Sequence, residues 1–255
     1  MIEAGISYLA SQLTKNWRKL QGLPVLQAHR GWCVDGAKEN SLEAIAAARD
    51  KGFSMVEFDV RLTRDGEVFL FHDEDLSAAC GLRTRVDEML SADLRKLCPS
   101  VCSLKTLLAC KDIPDYLNIE LKAPLGGRSG LEERVADLIK TSDFRGQILI
   151  SSFNPYALVR IRKFLPEVPL ALLLGRPAGI SSSFVLLHDL LAALPAMPGY
   201  LHLEQGTLDP QHWRLVKQLG LEVAIWTVND KTRAKEYLEL GASSIITDLI
   251  LPDQL

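Results

Sequence analysis

Cysteine is scarce in this sequence, with five residues among 255. An odd number without a secretory leader fits reduced thiols and excludes a disulfide framework. Cys33, Cys80, Cys98, Cys102 and Cys110 also lack the paired spacing of a zinc site. Cys98 and Cys102 lie four apart, and no second close pair exists. They are expected to be buried, reduced residues. Charge of either sign is in small surplus as well. A net charge of -3 and a pI near 6.0 exclude a broad nucleic-acid-binding surface, which needs basic excess. A locally positive cleft remains open. Long hydrophobic runs are missing: the stretch 169–175 is short, and 180–194 carries His188 and Asp189, so no membrane span is expected. A secretory signal is not expected either. Glu3 sits where basic residues belong, and Ser7, Ser11, Gln12 and Thr14 interrupt any apolar block. The expected compartment is the cytoplasm. The glycine-rich turn of a dinucleotide site is absent too, because Gly31 stands alone before Trp32 and Cys33.

What is present is an ordinary globular composition, 47% hydrophobic and 24% charged. The length can bury a core without staples. Short β-rich runs alternate with helix-like segments almost throughout. Strands are predicted at 25–29, 55–62, 116–121, 147–152, 170–174, 200–204, 222–228 and 244–247. A further run, 67–71, follows the turn dipeptide Asp65-Gly66 and reads as a hairpin addition to the second strand. Ser41 caps a predicted helix through Arg49, with Gly52 beyond its end. Asp209 or Pro210 starts another that stops at Gly220, and Asp230 caps one that stops at Gly241. Leu215 with Leu219, and Tyr237 with Leu240, give inward faces at helical spacing. Repeated strand–helix units build a parallel sheet. About eight units in this length fit an α/β fold of the closed (β/α)8 type, a TIM barrel; a doubly wound open sheet is the rival. The reading is one domain over 1–255, with an insertion at 74–115 and an extra amphipathic helix within 1–22.

That first helix carries Ile2, Ile6, Leu9, Leu13, Trp17 and Leu20 on one face. Lys15, Arg18 and Lys19 gather near its end. It is expected to pack on the barrel, over the N-terminal mouth. The alternative is a peripheral membrane foot, since a tryptophan and basic residues border the apolar stripe.

The chemistry gathers at strand ends. Glu57 and Asp59 stand two apart in a strand and share a face, while Phe58 and Val60 point into the helix layer. Two carboxylates facing a lumen repel and are costly to desolvate. A divalent cation resolves this, and Glu120 at the end of the next barrel strand supplies a third carboxylate. An all-oxygen set favours magnesium, calcium or manganese over zinc. Ion pairs with Arg30, Arg61 or Lys122 are the competing explanation for each carboxylate alone. His29 and His72 end strands near the acidic set, and histidine moves protons near neutral pH. His188, His202 and His212 lack such company and read as helix surface or strand packing. Arg30 and Lys122 suit an anionic phosphate. The helix beginning at Asn40-Ser41 offers free N–H groups to an anion. The 126–130 loop, Gly-Gly-Arg-Ser-Gly, reads as a flexible connection.

Taken in order, these residues resemble the glycerophosphodiester phosphodiesterases, a TIM-barrel family. The resemblance is carried by His29-Arg30-Gly31, Glu39-Asn40-Ser41, Glu57-x-Asp59, Thr63-x-Asp65-Gly66 and His72-Asp73. It continues through Asn118-Ile119-Glu120-Leu121-Lys122, Ser151-Ser152-Phe153-Asn154, Trp226-Thr227-Val228-Asn229 and Ile246-Thr247-Asp248. It implies a divalent metal on Glu57, Asp59 and Glu120, and an acid/base pair of His29 and His72. It further implies phosphate held by Arg30 and Lys122, and Trp226 lining the mouth against the glycerol or alcohol part. The implied reaction is metal-dependent hydrolysis of a glycerophosphodiester to sn-glycerol 3-phosphate and an alcohol. Lys38 replaces the family's usual proline, and the segment after Asp73 lacks its usual Arg-Thr-Thr. The chain also ends soon after Asp248, so the eighth helix is expected to be reduced and the N-terminal helix to take its packing role. A lysophospholipase D-type enzyme at a membrane surface is one alternative. A silent barrel that binds phosphorylated ligands is the other, and the competent residues at every acid/base and metal position argue against it.

Overall fold

The computed structural model describes residues 18–124, 129–175, 182–207, 213, 216, 218 and 220–255; of 182–187 it describes the backbone alone. Eight parallel strands close on themselves. They are β1 (Leu26–His29), β2 (Met55–Leu62), β6 (Tyr116–Leu121), β7 (Gln147–Ser152), β8 (Leu170–Leu174), β9 (Tyr200–Glu204), β10 (Glu222–Trp226) and β11 (Ser244–Thr247). They pair in the order β1-β11-β10-β9-β8-β7-β6-β2, and a β1–β2 pairing completes the ring. This is the expected TIM barrel. The strand predicted over 222–228 stops at Trp226. β3 (Val68–Leu70) adds to β2 in antiparallel fashion as predicted, across a turn where Gly66 has φ +83°. β2 is long enough to do both jobs: Met55 to Val60 pair with β6, and Val60 to Leu62 pair with β3.

The helices form where capping residues allow. Ser41 Oγ accepts the Ala44 N–H at the start of α1 (Leu42–Asp50). After it come α2 (Ser77–Cys80), α3 (Ser91–Leu97) and α4 (Leu104–Ala109), the last capped by Ser103. α5 (Leu131–Thr141) packs on α6 (Pro155–Phe164), which Asn154 caps with proline in its first turn. Buried Glu132 of α5 is paired with Arg160 of α6 at 2.6 Å. α7 (Ser182–Ala193) and Asp230-capped α8 (Lys231–Glu239) complete the described set. Phe58, Val60, Ile119, Leu121, Leu170 and Leu172 pack outward against this layer in one core.

Some expectations need correction. The insertion is narrower than 74–115: Leu104, Leu107 and Leu108 are buried in the main core, so α4 is the crossover helix of the second unit. The inserted part is the β4–β5 hairpin (Asp75–Leu76 with Leu82–Arg85) with α2 and α3. Of the five free cysteines only Cys102 is buried, and Cys80, in the short helix α2 of the added part, is exposed. Leu240 does not face inward with Tyr237, since it follows the last turn of α8 and is 53% exposed. The predicted first helix lies outside the described residues up to residue 17. So do most of the 126–130 loop, His212 and most of the helix expected before Gly220.

Residues 18–23 run across the N-terminal mouth. Leu20 packs with Met55, Leu149, Ala171 and Tyr200, the first lumen layer of the barrel. Its N–H donates to the Tyr200 hydroxyl at 2.7 Å. Arg18 and Lys19 pair with Glu167 and Glu222. The floor is thus sealed, and the open rim lies at the strand C-termini. No helix among the described residues is long and apolar enough to cross a membrane.

Candidate active site

At that rim Glu57, Asp59 and Glu120 are all buried, and one oxygen from each lies within 4.8 Å of the others. Strand register explains the meeting. Asp59 stands beside Glu120, and His29 beside Glu57, on neighbouring parallel strands. The β-pleat sends alternate side chains of each strand inward.

Each carboxylate has its own environment. Asp59 accepts a hydrogen bond from Asn40 Nδ2 at 2.9 Å and gives its own N–H to Asn40 Oδ1. Lys122 Nζ lies 3.0 Å from Asp59 and 2.5 Å from Glu120. Burial raises the Asp59 pKa, but Lys122 and Arg30 outweigh it and leave the carboxyl below its usual range. Glu57 makes no close ion pair with Lys122 or Arg30, although both act on it from further off. Its Oε2 takes the Arg30 backbone N–H at 3.2 Å and stands 4.0 Å from His29 Nε2. Burial, with Asp59 and then Glu120 nearby, lifts Glu57 well above the ordinary carboxylate range. The same two causes, burial and Asp59, push Glu120 up to about 7. Three oxygen donors crowded with a shortfall of positive charge fit a hard divalent cation.

Both histidines face this cluster, each held by an aspartate. His29 Nδ1 lies 2.7 Å from Asp248, whose other oxygen accepts from Asn229 Nδ2 at 2.8 Å. Burial raises the Asp248 pKa, yet the hydrogen bonds from His29 and Asn229 hold it below normal. His72 Nδ1 lies 2.8 Å from Asp73, and its carbonyl accepts both Arg61 Nε and Nη2. Burial lowers the His72 pKa. A ring whose Nδ1–H is given to a carboxylate leaves Nε2 free to exchange protons.

Arg30 and Asn40 both adopt left-handed backbone, with φ of +55° and +56°. Non-glycine residues are rarely found there. Both side chains end on Asp59, Arg30 Nε at 3.4 Å, so the strain is spent on aiming groups at the acidic cluster. Arg30 is also paired with Glu39 at 3.0 Å. Lys122 stands 5.7 Å from the Phe153 ring, which meets Trp226 edge-on at 5.6 Å. One cavity of about 110 Å³ is lined by His29, Arg30, Glu57, His72, Glu120, Lys122 and Trp226. A larger cleft of about 650 Å³ adjoins it, sharing Glu120, Lys122 and Phe153.

The glycerophosphoryl diester phosphodiesterase family profile matches residues 29–251. The chain belongs to the glycerophosphoryl diester phosphodiesterase family. A curated relative, the glycerophosphodiester phosphodiesterase of Caldanaerobacter subterraneus subsp. tengcongensis, is 26% identical over 87% of this chain and 92% of its own. The probable glycerophosphodiester phosphodiesterase 2 of Mycobacterium tuberculosis is 29% identical, over 88% and 87%. Among solved structures, a phosphodiesterase of Oleispira antarctica in complex with the product sn-glycerol-3-phosphate superposes with a TM-score of 0.72 and 26% identity, covering 89% of this chain and 93% of that one.

The structure brings the eight residues expected at the site to one rim of the barrel. Sequence reasoning missed their supports. Asn40 stands at the helix start as expected, just before the Ser41 cap, and also serves Asp59; Asp248, itself bonded by Asn229, holds His29; Arg61 holds the His72 carbonyl. The one available signal was position, since Asn40, Asn229 and Asp248 fall in the ordered motif set. His202 needs correction. It is a strand residue as expected, but it has company: it is fully buried and lines the same cavity as Glu57 and Trp226. His188 is an exposed helix residue beside Asp189, as expected.

Proposed function

We propose that this chain hydrolyses glycerophosphodiesters to sn-glycerol 3-phosphate and an alcohol. The convergence of three clustered, buried carboxylates with two aspartate-held histidines at one rim is the observation that carries the reading. Membership of the family supports it, as does the product held by the Oleispira relative. Glu57, Asp59 and Glu120 would hold a divalent cation: magnesium, calcium or manganese. When bound, it supplies positive charge to the phosphoryl oxygens.

The chain's own residues do the rest. Arg30 and Lys122 lie beside the carboxylates and bind the anionic phosphate oxygens. One histidine takes the proton of the attacking hydroxyl, either water or the glycerol's own, in which case a cyclic phosphate forms and a water then opens it to the monoester. The other returns a proton to the departing alkoxide. Asp248 and Asp73 keep each ring turned and stabilise its protonated form. Trp226 and Phe153 wall the mouth and exclude water from one side.

The test is direct. A chelator should abolish hydrolysis of glycerophosphocholine, and one of the three cations should restore it. Glu57→Ala should lose metal binding together with roughly a hundredfold or more of kcat/KM, with an unchanged circular dichroism spectrum. Full activity in chelator, or Glu57→Ala activity equal to the parent, would refute the metal role.

A further inference from the structure

The barrel lumen below the site holds a ladder of polar side chains that satisfy one another. Ser151 donates to Asn118 at 2.9 Å, Asn118 to Gln27 at 3.0 Å and Gln27 to Ser244 at 3.1 Å. Ser244 ends the chain on the Pro24 carbonyl at 2.8 Å. His202 borders the same cavity as Asn118 and Ser151 and takes no part in the ladder. Its side chain is fully buried, and neither ring nitrogen has a partner among the described residues. The residues beside it in register, Leu173 and Ala224, offer no polar side chain. Trp226 Nε1, on the same cavity, is also buried and unpartnered. Buried polar atoms are nearly always paired, with protein, water or ligand. Here both residues line one cavity, and a molecule that fills it is the partner available to them.

We propose that His202, with Trp226 Nε1, is a hydroxyl-reading subsite that holds the terminal hydroxyl of the glycerol end of the substrate. This rests on the glycerophosphodiester reading. The chemistry of the two groups selects the ligand. Burial alone pushes the His202 pKa down to about 3, so the ring stays neutral at working pH. A neutral imidazole presents one donor and one acceptor. A phosphate oxygen only accepts, and an ammonium only donates. A hydroxyl does both, and can take the indole N–H as well. His202 thus positions and selects substrate, and transfers no proton.

The test uses glycerophosphocholine, its analogue with the terminal CH2OH replaced by CH3, and the two corresponding phosphomonoesters as binding probes. Calorimetry on the parent should show the glycerol 3-phosphate bound roughly ten- to a hundredfold more tightly than its deoxy analogue. His202→Leu should erase that difference by weakening the hydroxylated ligand alone. His202→Gln, which keeps a donor and an acceptor, should restore part of it. In turnover the loss should fall on glycerophosphocholine and spare the analogue. Equal binding of the two monoesters by the parent would overturn the subsite. Equal losses on both substrates in a His202→Leu protein would do the same and assign the residue to packing. Absence of turnover with the binding difference intact would sink the hydrolytic reading while leaving the subsite standing.

Discussion

Individual side chains at the rim carry the titration behaviour of the molecule. Glu120, moved from 4.5 to about 7 by burial and Asp59, binds its proton more tightly in the folded chain than in the unfolded one. Its contribution to stability is fully present below about 4.5 and is lost as pH rises through 7. Glu57, also raised, acts in the same direction. Metal-free protein should therefore lose melting temperature between about pH 5 and pH 8, by roughly 2–4 °C for each kcal/mol. A bound divalent cation replaces the protons and should flatten the curve, and Glu120→Gln in chelator should remove Glu120's share of it. Scanning calorimetry across that window checks it; a metal-free melting temperature that climbs steadily from pH 5 to 8 would contradict the account. This behaviour was not legible in the residue types. The carboxylates announced themselves by spacing, but their unequal environments come from Lys122, Arg30 and Asn40 all meeting at Asp59.

The turn between β1 and α1 is the element on which the site leans most. It delivers His29 and Arg30, and Gly31 follows with φ +91°. A Cβ at Gly31 would come within 2.7 Å of the Ala44 backbone carbonyl carbon in α1. No flexible side chain there can yield, and the backbone conformation is itself unfavourable for an L-residue. Gly31→Ala should cost about 2–3 kcal/mol, read as a lower denaturant midpoint, and should lower kcat/KM by displacing Arg30. An unchanged midpoint would show that α1 can shift freely. The capped helices were readable because caps act through neighbours in sequence: Ser41 on Ala44 and Asp230 on Arg233 are local events. The extent of the insertion was not. Whether Leu104 and Leu107 face the core or an added layer depends on what lies opposite them, and that is set by distant strands.

For the whole molecule, the barrel separates its stabilising floor from its reactive rim. Leu20 closes the floor against Met55, Leu149, Ala171 and Tyr200, while the carboxylates and histidines open at the other end. Leu20→Ala should lower stability by about 2–5 kcal/mol and leave KM and kcat for glycerophosphocholine unchanged at a temperature where the protein is folded. A change in KM at such a temperature would mean that floor and rim are coupled. The same separation places conserved chemistry on one face of many barrels of this architecture.

Family resemblance alone pointed to Trp226; the sequence by itself determined the alternation of strands and helices, the inward face of β2, and the three carboxylates, two histidines, Arg30 and Lys122 as the candidate set. Those are consequences of periodicity and of short-range order, which one strand or one cap can express alone. Only the tertiary structure decided which groups support them. Asn40 reached Asp59, Asp248 reached His29, and His202 and Trp226 came to line one cavity. These pairings join residues from 19 to 219 positions apart. Strand register and barrel closure bring them together, and hydrogen bonds of 2.7–3.2 Å tolerate little error in that closure.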